Sequence, residues 1–123
     1  MQDIDRKFVL VALAWLIVGT VFGFWMGATN RMNYVSVHVA MLLPGFVTLA
    51  VYGMLYRLWP EMKEGVLPIW QFWIAVVGEL ILIVGSFQFL ANGSVMIVAP
   101  ASAAIIVSVL MMGWLFWTRT KAA

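Results

Sequence analysis

Four apolar runs, each long enough to cross a bilayer, constrain this 123-residue chain more than any other feature. A hydrocarbon core roughly 30 Å thick needs about 20 apolar residues in a helix rising about 1.5 Å per residue. The runs cover residues 8–28, 34–58, 68–90 and 94–118, separated by breaks at 29–33, 59–65 and 91–93. Backbone groups in lipid must bond within the spanning structure, and no segment alternates with period two, so the runs read as helices rather than barrel strands. The first and last breaks are short, which makes consecutive helices antiparallel neighbours. The middle break carries Pro60, Gly65 and mixed charge, as a loop at the interface should. The run from Phe8 outlasts a secretory h-region and reads as a retained first span. The expectation is therefore one all-α domain over residues 1–123, an integral membrane four-helix bundle with lipid as its solvent. Only 10% of the residues are charged, too few to cover a small soluble domain.

Basic residues set the orientation. With four spans, Arg6, Lys7, Arg57, Lys63, Arg119 and Lys121 share one side, and Arg31 stands alone on the other. Positive charge collects on the cytoplasmic side, which predicts an inner-membrane protein with both termini in the cytoplasm. Trp59, Trp70, Trp73, Trp114 and Trp117 gather at that interface, and Trp25 and Tyr34 near the opposite one. A net charge of +2 with no basic patch gives no reason to expect nucleic acid. With no cysteine there can be no disulfide, iron–sulfur cluster, thiolate metal site or covalent c-type heme attachment. One histidine, and no nucleophile-elbow, zinc-protease or phosphate-loop motif, argue against hydrolytic and nucleotide-binding enzymes.

Several residues within the spans stand out. Pro44 and Pro100 interrupt spans two and four and predict kinks. Gly19, Gly23 and Gly27 repeat every fourth residue on one face of span one, so a backbone can approach there, either from the same chain or from another subunit. The small residues Ala101, Ala104 and Ser108 form a similar face on span four. Glu79 is the only acidic residue deep in a span. An ionised carboxylate there is costly, so it is either a neutral hydrogen-bonded group joining helices or a proton or quinol site. Ser86 lies two turns further along its face. His38 lies about one turn inside span two, and helical spacing puts Met41, Gly45, Thr48, Tyr52 and Tyr56 on its stripe. Gly45 on that stripe would leave room for a flat ligand beside the imidazole. The residues alone leave His38 open as a hydrogen-bonding group or as a ligand.

The stretch from Gly27 to Pro60 contains Tyr34, His38, Pro44-Gly45-Phe46, Tyr52-Gly53 and Tyr56-Arg57-Leu58-Trp59-Pro60. It resembles the second transmembrane helix of the catalytic subunit of heme-copper oxidases and nitric oxide reductases, and most of all short proteins described as subunit-I-like. That helix carries a His followed about seven residues later by Gly and ends in an aromatic-rich exit near Pro. The likeness covers about a quarter to a third of the chain. It implies that His38 is an axial ligand of a b-type heme, with Met41, Gly45 and Tyr52 lining the site. Where many relatives have a second His, this chain has Ala40. The family's other heme ligand and its copper ligands lie on later helices that this chain lacks, so no copper centre and no complete oxidase is expected.

In that family the catalytic subunit has three four-helix arcs, and this chain looks like one of them. The resemblance thus implies a homo-oligomer, a trimer being favoured over a dimer sandwiching one heme between two His38 rings. Three functions follow as expectations: a heme-binding protein in electron transfer or heme handling, a non-enzymatic accessory subunit of a larger respiratory complex, or a small transporter or proton pathway using Glu79.

Overall fold

The computed structural model describes residues 2–121; residues 1, 122 and 123 of the expected domain lie outside the described residues. All regular structure among them is helical, and four helical segments are long and apolar enough to cross a membrane. The first is α1 (Ile4–Thr29). The second is a continuous rod made of a short 3₁₀ turn (Met32–Tyr34), α2 (Val35–Ala40), a π-type stretch (Met41–Val47) and α3 (Thr48–Leu58). A 3₁₀ turn (Pro60–Lys63) leads to α4 (Leu67–Asn92), and α5 (Val98–Arg119) completes the bundle.

The ends follow local chemistry. α1 stops at Asn30, held in the left-handed conformation at φ 58°, with backbone bonds back to the carbonyls of Met26 and Gly27. α4 stops at Gly93, at φ 73°, a conformation that costs glycine little. The turn after α4 is longer than the sequence indicates. Ser94 N–H donates to Asn92 Oδ1 at 2.9 Å and Met96 N–H to Ser94 Oγ at 3.3 Å. These side-chain acceptors compete with helical bonding, which delays α5 until Val98.

Pro44 does more than kink span two. It has no N–H to donate and its ring crowds the preceding turn, so the backbone widens to bond five residues back. Thr48 completes the wide turn, since both its N–H and its hydroxyl reach the Leu43 carbonyl, the latter at 3.0 Å. Over this stretch the buried positions fall at Val37, Met41, Gly45 and Leu49, a spacing of four rather than 3.6, and continue at Tyr52, Gly53 and Tyr56. The stripe that faces the bundle therefore passes through Val37, and His38 sits half-buried at its edge.

Packing in lipid relies on close contact and small residues, because lipid tails are as apolar as leucine. α1 and α3 meet at Gly53, where a Cβ would fall 2.7 Å from Val9 Cγ2 and 3.0 Å from the Asp5 carbonyl oxygen. α4 and α5 meet at Gly78, whose Cβ position is 3.2 Å from Ala104 Cβ. Phe8 fills the core between them, stacked with Tyr56 and edge-on to Tyr52 and Phe72.

The start of α1, the end of α5 and the 59–66 loop lie at one end of the bundle, called here the termini end. Asp5 is buried there between Lys63 (3.0 Å) and Arg57 (2.9 Å). Lys63 Nζ also donates to the Gln2 carbonyl at 3.1 Å, and Arg119 donates to the carbonyls of Met62 and Glu64. The opposite, distal end carries Phe22, Trp25, Tyr34 and Phe87 in mutual edge and tilted contact, with the Arg31 guanidinium 5.8 Å from the Trp25 ring centre.

Candidate functional site

The residues that sequence reasoning assigned to one site divide between two places. His38 lies against α1. A Cβ on Gly23 would fall 2.6 Å from its Cε1 and 3.1 Å from Nδ1, so the ring occupies the space that Gly23 leaves. Its Nδ1 is buried with no hydrogen-bond partner. The ring also lines a shallow apolar groove with Val39, Leu42, Leu43 and Val47, which opens outward from the bundle. Leu42 rests on Gly19 in the same way, within 2.6 Å of its Cβ position. Gly19 and Gly23 are therefore in contact with span two of the same chain, the first of the two alternatives that the sequence leaves open. Gly27 has nothing within 4 Å of its Cβ position and stays open at the distal end of that ribbon.

Met41, Gly45 and Tyr52 do not line the groove at His38. Met41 is buried beside Val37 and Ile83. Gly45 faces Trp15 and Glu79, with a Cβ position 3.1 Å from Trp15 Cγ and 3.0 Å from Glu79 Oε1. Tyr52 is buried and its hydroxyl pairs with Ser108 Oγ at 3.2 Å. The flat slot expected at Gly45 is thus filled by the indole and the carboxyl group. The wide turn at Pro44 is the reason: it rotates Gly45 and Tyr52 away from the His38 side, which a regular helix would not do.

Glu79 forms the second place. It is 1% exposed, and neither carboxyl oxygen has a hydrogen-bond partner among the described residues. Ser86 does not join it, because its hydroxyl donates to the Leu82 carbonyl at 2.8 Å. On the distal side of Glu79 the core holds Val37, Met41 and Ile83, and further along α4 the Gln88 side-chain oxygen is buried without a partner. On the termini side it carries a polar ladder. Tyr56 OH donates to Gln71 Oε1 at 3.1 Å, Gln71 Nε2 donates to the Ser108 carbonyl at 3.4 Å, and Ser108 Oγ meets Tyr52 OH. Sequence reasoning gave Gln71 no role and gave Ser108 only a packing one. Gln71 could have been noticed as a rare amide within span three, but its partners come from spans two and four and are not local in sequence.

His38 can act as a ligand or hydrogen-bonding group only toward the outside of the bundle. An axial imidazole needs one free ring nitrogen, a fixed ring plane and a dry wall, and a second partner on its other nitrogen strengthens it. Gly23 fixes the plane and the groove is apolar, which fits a flat hydrophobic cofactor. The orphaned Nδ1 and the filled Gly45 slot do not fit enclosure by one chain. A porphyrin at His38 would have to be covered on its other face by a second surface. Among the described residues no cluster of three or more His, Asp or Glu side chains could hold a metal ion. No known protein family, curated protein or solved structure matches this chain.

Proposed function

We propose that the chain is an inner-membrane heme-carrying module in which His38 is an axial ligand to a b-type heme held between the outer groove of span two and a second protein surface. The observation that supports this reading is the His38 ring itself. It is fixed on Gly23 at membrane depth, has no hydrogen bond within its own chain, and lines an apolar groove. Nδ1 is buried toward α1, so a ligand in the outer groove meets the ring's other nitrogen. The covering surface is a second copy of the chain: three copies around a central axis complete the arc arrangement, and two copies would offer a His38 on each face of one heme. The heme, when bound, supplies one-electron chemistry; the chain supplies the axial nitrogen, a rigid backing and a dry wall. On this reading the cluster of basic residues at the termini end faces the cytoplasm.

The test is a visible absorption spectrum of protein purified in mild detergent from heme-replete cells. A Soret band that His38→Ala removes while the bundle stays folded supports the proposal, and the heme-to-chain ratio separates trimer from dimer. A colourless wild-type preparation refutes it. A second reading is favoured by the filled Gly45 slot: a non-enzymatic accessory subunit whose outer face packs on a larger complex. In that case His38→Ala leaves assembly intact and other membrane subunits co-purify with the chain.

A further inference from the structure

We infer that the groove between α1 and α3 at the termini end binds an anionic phospholipid, with Arg6 and Arg57 taking the phosphate and Leu10 and Met54 taking the top of an acyl chain. The inference is independent of the heme reading, because His38 and its groove lie toward the other end of span two.

Three observations carry it. The first is the shape of the groove, about 290 Å³, which is bounded by Arg6, Val9 and Leu10 on α1 and by Gly53, Met54 and Arg57 on α3. The helices touch at Gly53, which puts no side chain into the cleft, so its floor is Val9 and backbone. Leu10 and Met54 are each more than half exposed and form the walls.

The second is charge. Asp5 is the one carboxylate at the groove, and it is buried between Lys63 at 3.0 Å and Arg57 at 2.9 Å. Lys63 already balances it, so Arg57 stands at the rim without a carboxylate of its own. Arg6 is exposed and has no ion pair among the described residues. The contact with Asp5 is made through Arg57 Nε, and the Arg57 side chain is 76% exposed. Its two terminal amino groups therefore remain for an outside acceptor, and a guanidinium matches phosphate oxygens in pairs.

The third is depth. Arg6 precedes the apolar run that opens at Phe8, and Arg57 is in the last turn of α3, so both stand at headgroup level. Leu10 is four residues further into α1 and Met54 three residues back into α3, which puts them about 5 Å deeper. A ligand that meets both levels needs an anionic head and a hydrocarbon tail. A free phosphate or an acidic peptide meets only the rim, and a zwitterionic lipid brings its own cation to it. Basic clefts between helices at the membrane surface suit anionic lipid head groups for the same reason.

The experiment is native mass spectrometry of the full-length protein in mild detergent, titrated with phosphatidylglycerol or with phosphatidylcholine of the same chain length. Wild type should hold one phosphatidylglycerol per chain and prefer it by about thirtyfold, the joint effect of two arginines each contributing about fivefold. Arg6→Gln and Arg57→Gln should each cut that preference by about fivefold, and the double variant should abolish it. Arg6→Gln carries the test by itself if Arg57→Gln does not fold. Lys7→Gln removes the same charge outside the groove, where Lys7 pairs with Asp3 at 3.5 Å, and should leave the preference unchanged. Inorganic phosphate should displace no more lipid than chloride does at equal ionic strength. The inference is overturned if wild type holds both lipids equally, if Lys7→Gln acts as strongly as the arginine variants, or if inorganic phosphate displaces the lipid. It is also overturned if the arginine variants bind lipid as wild type does, with or without loss of an oligomer.

Discussion

At the scale of single residues, His38 shows how one missing methyl group shapes a site. The imidazole sits where a side chain on Gly23 would be, so the two positions form one unit. Gly23→Val should push the ring off α1 and destabilise the bundle by about 1–3 kcal/mol, the usual cost of overpacking. Gly27→Val meets no neighbour and should stay within about 0.5 kcal/mol of wild type if the chain is monomeric there. Reversible unfolding in mixed detergent micelles measures both. If Gly27→Val also breaks an oligomer seen by native mass spectrometry, the open glycine belongs to an interface between copies. The polar ladder should respond more weakly. Tyr56→Phe removes its hydrogen bond to Gln71, and such bonds in membrane proteins average about 0.6 kcal/mol.

At the scale of elements, span two behaves as two helical rods joined by a wide turn. Pro44→Ala restores an N–H and lets the turn tighten toward regular α geometry. That would rotate α3 against α2 and draw Gly45 away from Trp15 and Glu79. We expect a loss of about 1–3 kcal/mol in the same unfolding assay, despite the better helix propensity of alanine. Unchanged stability would mean that Trp15 and Glu79, rather than Pro44, hold the turn open. This turn also marks where the sequence stopped being legible. The four spans could be read from hydropathy, since length and apolarity decide them locally. Pro44 was visible as an interruption. Whether it would kink the rod or add width depends on Thr48 reaching Leu43 and on what fills the space at Gly45, and those partners come from other spans. The stripe extrapolated from His38 with a period of 3.6 therefore assigned Gly45 and Tyr52 to the wrong side. Glu79 is legible from its place inside an apolar run, but its seat on Gly45 requires two spans in register.

At the scale of the whole molecule, ion pairs and carbonyl contacts join the loose ends. Asp5→Asn leaves Lys63, itself largely buried, without its carboxylate, and removal of one member of a buried pair is strongly destabilising. Arg57 is 76% exposed, so Arg57→Ala should cost less than 1 kcal/mol or so, and Lys63→Ala clearly more. The absence of cysteine makes the topology simple to check. Lys121→Cys in inside-out inner-membrane vesicles should react with a membrane-impermeant maleimide and Arg31→Cys should not; the opposite pattern would reverse the proposed orientation.

The contact of Arg119 with the 62–64 backbone also bears on how the chain is made. Residue 119 leaves the ribosome only after the rest of the fourth span, so the connection between the first and second helical pairs stays unfastened until that span has been made. Each pair must hold its place in the bilayer on the strength of its own hairpin. A chain cut after Thr118 should therefore still insert four times, yet a protease should cut it near Glu64, where the chain that keeps Arg119 resists.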